Sequence, residues 1–141
     1  MGAVVGVFPL ILVPVLIYNI IAFGSGISGH DASSVIALFD SPAFTFAMAS
    51  QAQWVVHWGD VMLLLALIML FVELLKSTST GTSAIFNHAL SMLVFIVCLI
   101  EFLLVAQFAT STFFLIMIMS LLDVLAGVIV TIVSRMSSLA S

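Results

Sequence analysis

Charge is what this chain most lacks. Two of its 141 residues are Lys or Arg and six are Asp or Glu, together 6%, against about 25% in soluble domains. A nucleic-acid partner is excluded, because neutralising a phosphate backbone takes clustered cations, whereas Lys76 and Arg135 stand alone in a chain of net charge -4. Cysteine is as scarce. The single Cys98 cannot close an internal disulfide and, inside an apolar run, reads as a small packing residue. No basic stretch precedes the first apolar run, so Met1 to Phe23 is expected to be retained rather than cleaved, despite the small-residue spacing of Ala22-Phe23-Gly24. The sequence also lacks a Gly-Lys phosphate loop, a Gly-x-Ser-x-Gly elbow, a His-Glu-x-x-His pair and a Cys-x-x-Cys pair. It therefore offers no catalytic residue, indicates no cofactor, and leans away from an enzyme.

What is present is apolar: 65% of the residues are hydrophobic, the composition of an integral membrane protein. Four runs, about residues 2–23, 54–76, 84–107 and 110–134, reach the roughly 20 residues that a spanning helix needs. The expected fold is all-α, a polytopic four-transmembrane-helix bundle in one domain, 1–141, with the lipid bilayer as its first partner. Pro9 and Pro14 are expected to bend the first span, and Tyr18 near its end reads as an interfacial anchor. The connection from Gly24 to Gln53 holds His30 and the segment SSVIALF, too short to span and suited to an interfacial helix. Asp40-Ser41-Pro42 reads as a cap followed by proline at the first helical position. That places the start of the second helix near Pro42, with Trp54 and Trp58 at the water boundary.

Lys76 ends the second span and Arg135 the fourth, so with four spans both basic residues fall on one side. The excess of cations in cytoplasmic loops then puts both termini in the cytoplasm and the long first loop outside. The size and hairpin layout are similar to those of small four-span bacterial inner-membrane families, including multidrug exporters and fluoride channels, which implies an inner-membrane location. No motif is shared. The exporters' essential glutamate lies in their first span, and here that run has no acid.

Ionisable residues inside such runs cost about 2.5–3.5 kcal/mol each on insertion scales. Spacing by three and four places Ser50, Gln53, His57 and Asp60 on one face of the second helix, Asn87, Ser91, Val94, Cys98 and Glu101 on one face of the third, and Ser120, Asp123, Gly127 and Thr131 on one face of the fourth. Counting depth at about 1.5 Å per residue gathers Asn19, His57, Asp60 and Glu101 in the outer half, with Asp123 one or two turns deeper. Glu73, Asn87 and His88 gather instead at the inner boundary and read as mostly an interfacial and structural set, in which Glu73 is expected to pair with Lys76.

The outer residues admit two uses. As hydrogen-bonding glue they hold helices together. As a cluster without an internal cation they bind or pass a proton or small cation. Their oxygens and nitrogens also suit a metal ion, although the paired Glu-x-x-His pattern of di-iron bundles is absent, so the identity of any metal stays open. The expected function is proton or small-cation binding or translocation by His57, Asp60, Glu101, Asp123 and Asn19. The alternative is a non-catalytic accessory or assembly subunit of a larger membrane complex. In either role the chain is expected to work as a homo-oligomer or within such a complex.

Overall fold

The computed structural model describes residues 7–24, 31–76 and 82–140; His30 and the glycine-rich stretch before it lie outside them. The chain is mostly helical. Helix α1 spans Leu12–Phe23, α2 Ala32–Asp40, α3 Trp58–Lys76, α4 Thr82–Leu104 and α5 Ser111–Ala140, and a single 3-10 turn, Ala106–Phe108, joins the last two. Three of these helices, α3, α4 and α5, are long and apolar enough to cross a membrane. Helix α1 has 12 residues, about 18 Å at 1.5 Å each, and by itself falls short of a hydrocarbon core of about 30 Å.

Proline sets that length. Val7 is helical, but the backbone breaks over Phe8 to Ile11. It re-enters the helix through tight bonds from Leu12 N–H to Pro9 C=O at 3.1 Å and from Val13 N–H to Leu10 C=O at 3.0 Å. Pro14 then falls in the first turn of α1, where its missing N–H would have had no intrahelical partner.

Helix α5 lies between α3 and α4, and 44% of its most apolar stretch is buried, against 28% and 22% for the other two. Pairings along the bundle give the directions. A Cβ on Gly59, at the start of α3, would meet Thr112 Oγ1, at the start of α5, at 2.6 Å, so the two helices begin side by side and run parallel. Ser91 meets Asp123 and Phe102 meets Phe114, so α4 runs antiparallel to α5. Leu10 reaches Glu73 while Asn19 reaches Glu101, so α1 runs opposite to α3.

The segment between α2 and α3 corrects the sequence reading. Pro42–Ala47 and Gln53–His57 are antiparallel strands, β1 and β2, forming a two-stranded hairpin. The second long helix begins at Trp58, not at Pro42 or Trp54, and the fold is not wholly α-helical. Ser41 precedes a proline, which disfavours helical backbone there, and it is extended, with φ -76° and ψ 145°. The strands then place Phe44 and Phe46 on one face with the period of two that a strand requires. Gln51 closes the turn with φ 74°.

Helix α2 coincides with the short segment expected to be helical. Asp31 caps it, accepting from Ser34 N–H at 3.1 Å and from the Ser34 and Ser33 hydroxyls at 2.6 and 2.8 Å. These bonds, the Ser34 hydroxyl foremost, hold the exposed Asp31 carboxyl below its ordinary pKa. A lowered folded pKa stabilises α2 fully above the ordinary value of about 3.9, and the contribution fades as pH falls through the lower folded value. Protection of the Ser34 and Val35 amides, relative to their intrinsic exchange, should therefore fall as pH is lowered through the folded value, and Asp31→Ala should lack that protection at every pH.

Candidate functional site

Most of the buried polar residues lie away from the outer group; among the described residues Thr112, beside Gly59 at the start of α3, is the exception. Glu73 on α3 is 1% exposed and Asp123 on α5 is 3% exposed, and Asn87, Ser91 and Ser120 are buried with them. By residue count Glu73 and Asn87 lie only about 5 to 8 Å from the inner ends of α3 and α4, near Lys76 and Thr82, while Ser91, Ser120 and Asp123 lie about 14 to 18 Å from the nearer or starting ends of their helices, toward the middle of the bundle.

Each contact in the centre has a chemical reason. The break at Pro9 leaves the Leu10 N–H without a helical acceptor, and Glu73 Oε2 accepts it at 2.9 Å. The same oxygen accepts from Lys76 Nζ at 3.2 Å, and Lys76 also donates to the Phe8 carbonyl at 3.2 Å. Asn87 Nδ2 donates to the Val7 carbonyl at 3.2 Å. The backbone at the proline break is thus satisfied by side chains of α3 and α4.

Asp123 sits on the other side of this arrangement, within electrostatic reach of both Glu73 and Lys76. Its Oδ2 lies 3.0 Å from Ser91 Oγ, which in turn lies 2.9 Å from the Asn87 carbonyl. A hydroxyl carries one proton, so Ser91 donates fully to one of these acceptors at a time. With Asp123 ionised, the Ser91 proton points to the carboxylate. With Asp123 protonated, the acid donates to Ser91 Oγ and Ser91 donates to Asn87. In the ionised state the Asn87 carbonyl keeps only its helical partner, and in the protonated state the chain gains a second hydrogen bond.

His88 packs directly on Gly127 of α5, where an added Cβ would fall on the imidazole. Gly127→Ala should accordingly push α4 and α5 apart at this level and destabilise the protein by about 1–3 kcal/mol. His88→Ala in the same chain should restore most of the loss, and the pair can be read by denaturant unfolding in mixed micelles.

The other sequence-derived candidates stand elsewhere. His57 and Asp60 are 45% and 54% exposed in their side chains and 3.5 Å apart. Asp60 Oδ2 accepts the His57 N–H at 3.0 Å, which is the acidic half of a capping box and favours the positive end of α3. Asn19 donates to the Val15 carbonyl at 2.9 Å and, at 3.4 Å, to Glu101 Oε1, both side chains being half-buried. The structure therefore distributes the outer set over two places and brings Asp123 to the inner set instead. Gln53 and His57 lie on strand β2, so the first polar stripe is not a helical face.

Comparison of the chain with protein-family models, curated proteins and solved structures gives no significant match.

Among the described residues, no three His, Cys, Asp or Glu side chains group closely enough to hold a metal ion. Tyr18 is also placed differently from its sequence reading. It is fully buried, stacks on Phe39 at 4.7 Å, donates to the Gln107 carbonyl at 3.0 Å and shares a 2.7 Å hydrogen bond with Thr110. Thr110 Oγ1 also caps α5 through the Phe113 N–H at 3.1 Å, so one phenol ties α1 to the start of α5. Ser91 and the Leu10 N–H are the members of the centre that residue type alone did not rank. Ser91 lay on the right stripe, and the run from Pro9 to Pro14 was the signal for the freed N–H.

Proposed function

We propose that this is a membrane protein that binds and passes a proton at the Glu73, Lys76 and Asp123 centre. Its reading as a transporting bundle counts residues 2–23 as a first crossing segment broken at Pro9, α3, α4 and α5 as the other three, and α2 as an interfacial segment. Lys76 and Arg135 then share the cytoplasmic side, as do both termini, in a bacterial inner membrane.

The carrying observation is charge arithmetic. Two buried carboxyls face one ammonium, and Lys76 pairs with Glu73. The negative charge left over belongs to Asp123, and in a bilayer interior it is costly. One proton cancels it. The Ser91 hydroxyl supports this occupant over a metal ion, because it can reverse its donor role when the proton arrives, at no loss of hydrogen bonding.

The test uses purified protein in vesicles with an entrapped pH indicator and a potassium diffusion potential, negative inside. Parent vesicles should acidify faster than empty ones, and Asp123→Asn vesicles should match the empty ones. Parent vesicles no faster than empty ones would reject proton passage and favour the accessory-subunit reading. Acidification that appears only with sodium outside would replace the proton by a small cation.

A further inference from the structure

The hairpin Pro42–His57 exposes one strongly aromatic face. Phe44, Phe46 and Trp54, together with Trp58 at the head of α3, are each between 45% and 55% exposed. Register makes this a single surface: Phe46 pairs with Trp54 and Phe44 with Val56. The rings touch in series, with centroids 5.7 Å apart for Phe46 and Trp54, 6.4 Å for Phe44 and Phe46, and 6.3 Å for Phe44 and Trp58. No Asp, Glu, Lys or Arg lies between Asp40 and Asp60. In water such a patch would be a liability.

Trp58 also borders a groove of about 420 Å³ enclosed by α1, α2 and α3 and lined by apolar side chains alone, among them Ile21, Leu38, Val61 and Leu65. Its size lies within the range of about 300–1,000 Å³ typical of small-ligand sites, yet it offers no carboxylate, amine or amide to orient a polar ligand. A hydrocarbon chain suits those walls.

We propose that the hairpin and this groove form a lipid clamp: the aromatic face lies at the headgroup and acyl boundary, and the groove takes one acyl chain of a bilayer lipid. Three observations select lipid as the occupant. The patch runs without a break into α3, a helix apolar enough to span. Both tryptophans of the chain are in it, the residue type most at home at that boundary. A two-stranded sheet also has two open edges, whose unpaired backbone groups would cost several kcal/mol each in hydrocarbon, so the hairpin is held at the hydrated boundary and only its rings dip inward.

Because Trp54 and Trp58 are the only tryptophans, intrinsic fluorescence reads this surface directly. The parent, Trp54→Phe and Trp58→Phe are reconstituted into phosphatidylcholine vesicles with or without bromine on the acyl chains. Bromine near the carbonyl end should remove most of the emission of both residues, and bromine further down the chain should still quench Trp58, at the groove. Aqueous iodide should quench neither strongly. The parent carries both reporters, so the test stands even if a variant folds poorly. Strong iodide quenching with no bromine effect would place the hairpin in water and overturn the clamp. Protection from both quenchers would show a protein surface over the patch and overturn it equally. Quenching of Trp54 but not Trp58 by brominated chains would overturn the groove.

Discussion

Glu73→Ala is expected to cost about 3–5 kcal/mol of folding stability, the range for removing one partner of a buried ion pair. The carboxylate has two dependents, both on Oε2: the Leu10 N–H at the proline break, and the Lys76 ammonium, which is itself a quarter exposed, so the loss should fall at the low end of that range. Glu73→Gln keeps an acceptor for Leu10 and loses only the charge, so its cost should be nearer 1–2 kcal/mol. Unfolding in mixed detergent micelles, followed by circular dichroism, separates the two. Equal losses for Ala and Gln would mean that the backbone bond is not what Glu73 supplies. The break itself should register the difference, with Leu10 exchanging its amide proton quickly in the Ala variant and slowly in the Gln variant.

Asp123→Asn is expected to do the reverse, abolishing proton exchange at the centre while shifting stability by less than about 1 kcal/mol. The amide oxygen still accepts from Ser91, and an uncompensated buried charge is gone. Lys76→Met should move the count the other way. With the ammonium removed, both carboxyls lack a cation, and neutrality then takes two protons instead of one. The stability of the Lys76→Met protein should consequently rise as pH is lowered, because the folded state then binds more protons than the unfolded one. Counting protons taken up per chain across a pH jump, with an indicator dye in weakly buffered detergent, distinguishes the three proteins. An unchanged count in Asp123→Asn would move the exchanging group elsewhere.

Much of the helical architecture is legible in the residues. The apolar runs ending at Lys76, Gln107 and Ser134 locate α3, α4 and α5, and most of the inward faces of α4 and α5 follows from spacing: Asn87, Ser91, Val94 and Cys98 are buried, as are Ser120, Asp123 and Gly127, whereas Glu101 is half-buried and Thr131 is exposed. Depth counting also separates Glu73, Asn87 and His88, at the inner boundary, from the outer residues. Two features were hidden for physical reasons. Ser41-Pro42 carries the same composition as a helix start and as the extended residue before a strand, and only the alternation Phe44, Thr45, Phe46 tips the balance. The outer residues were grouped on the assumption that an ionisable side chain near a span must face inward. His57 and Asp60 instead stand at a helix start, where an exposed acid stabilises the first turn and needs no cavity. Asp123 belongs with the inner group because its partner is Ser91 on α4, a hydroxyl that residue type alone ranks below a histidine or a carboxylate.

The most direct test of a proton held at Asp123 is infrared spectroscopy of the protein in lipid across a pH titration, reading the carbonyl stretch of protonated carboxyl groups in the parent, Asp123→Asn, Glu73→Gln and Lys76→Met. One buried protonated carboxyl is expected in the parent, none from this centre in Asp123→Asn, and an additional one in Lys76→Met, with the parent band shifting when Ser91 is replaced by alanine. A parent spectrum identical to that of Asp123→Asn at every pH would contradict proton binding at this centre.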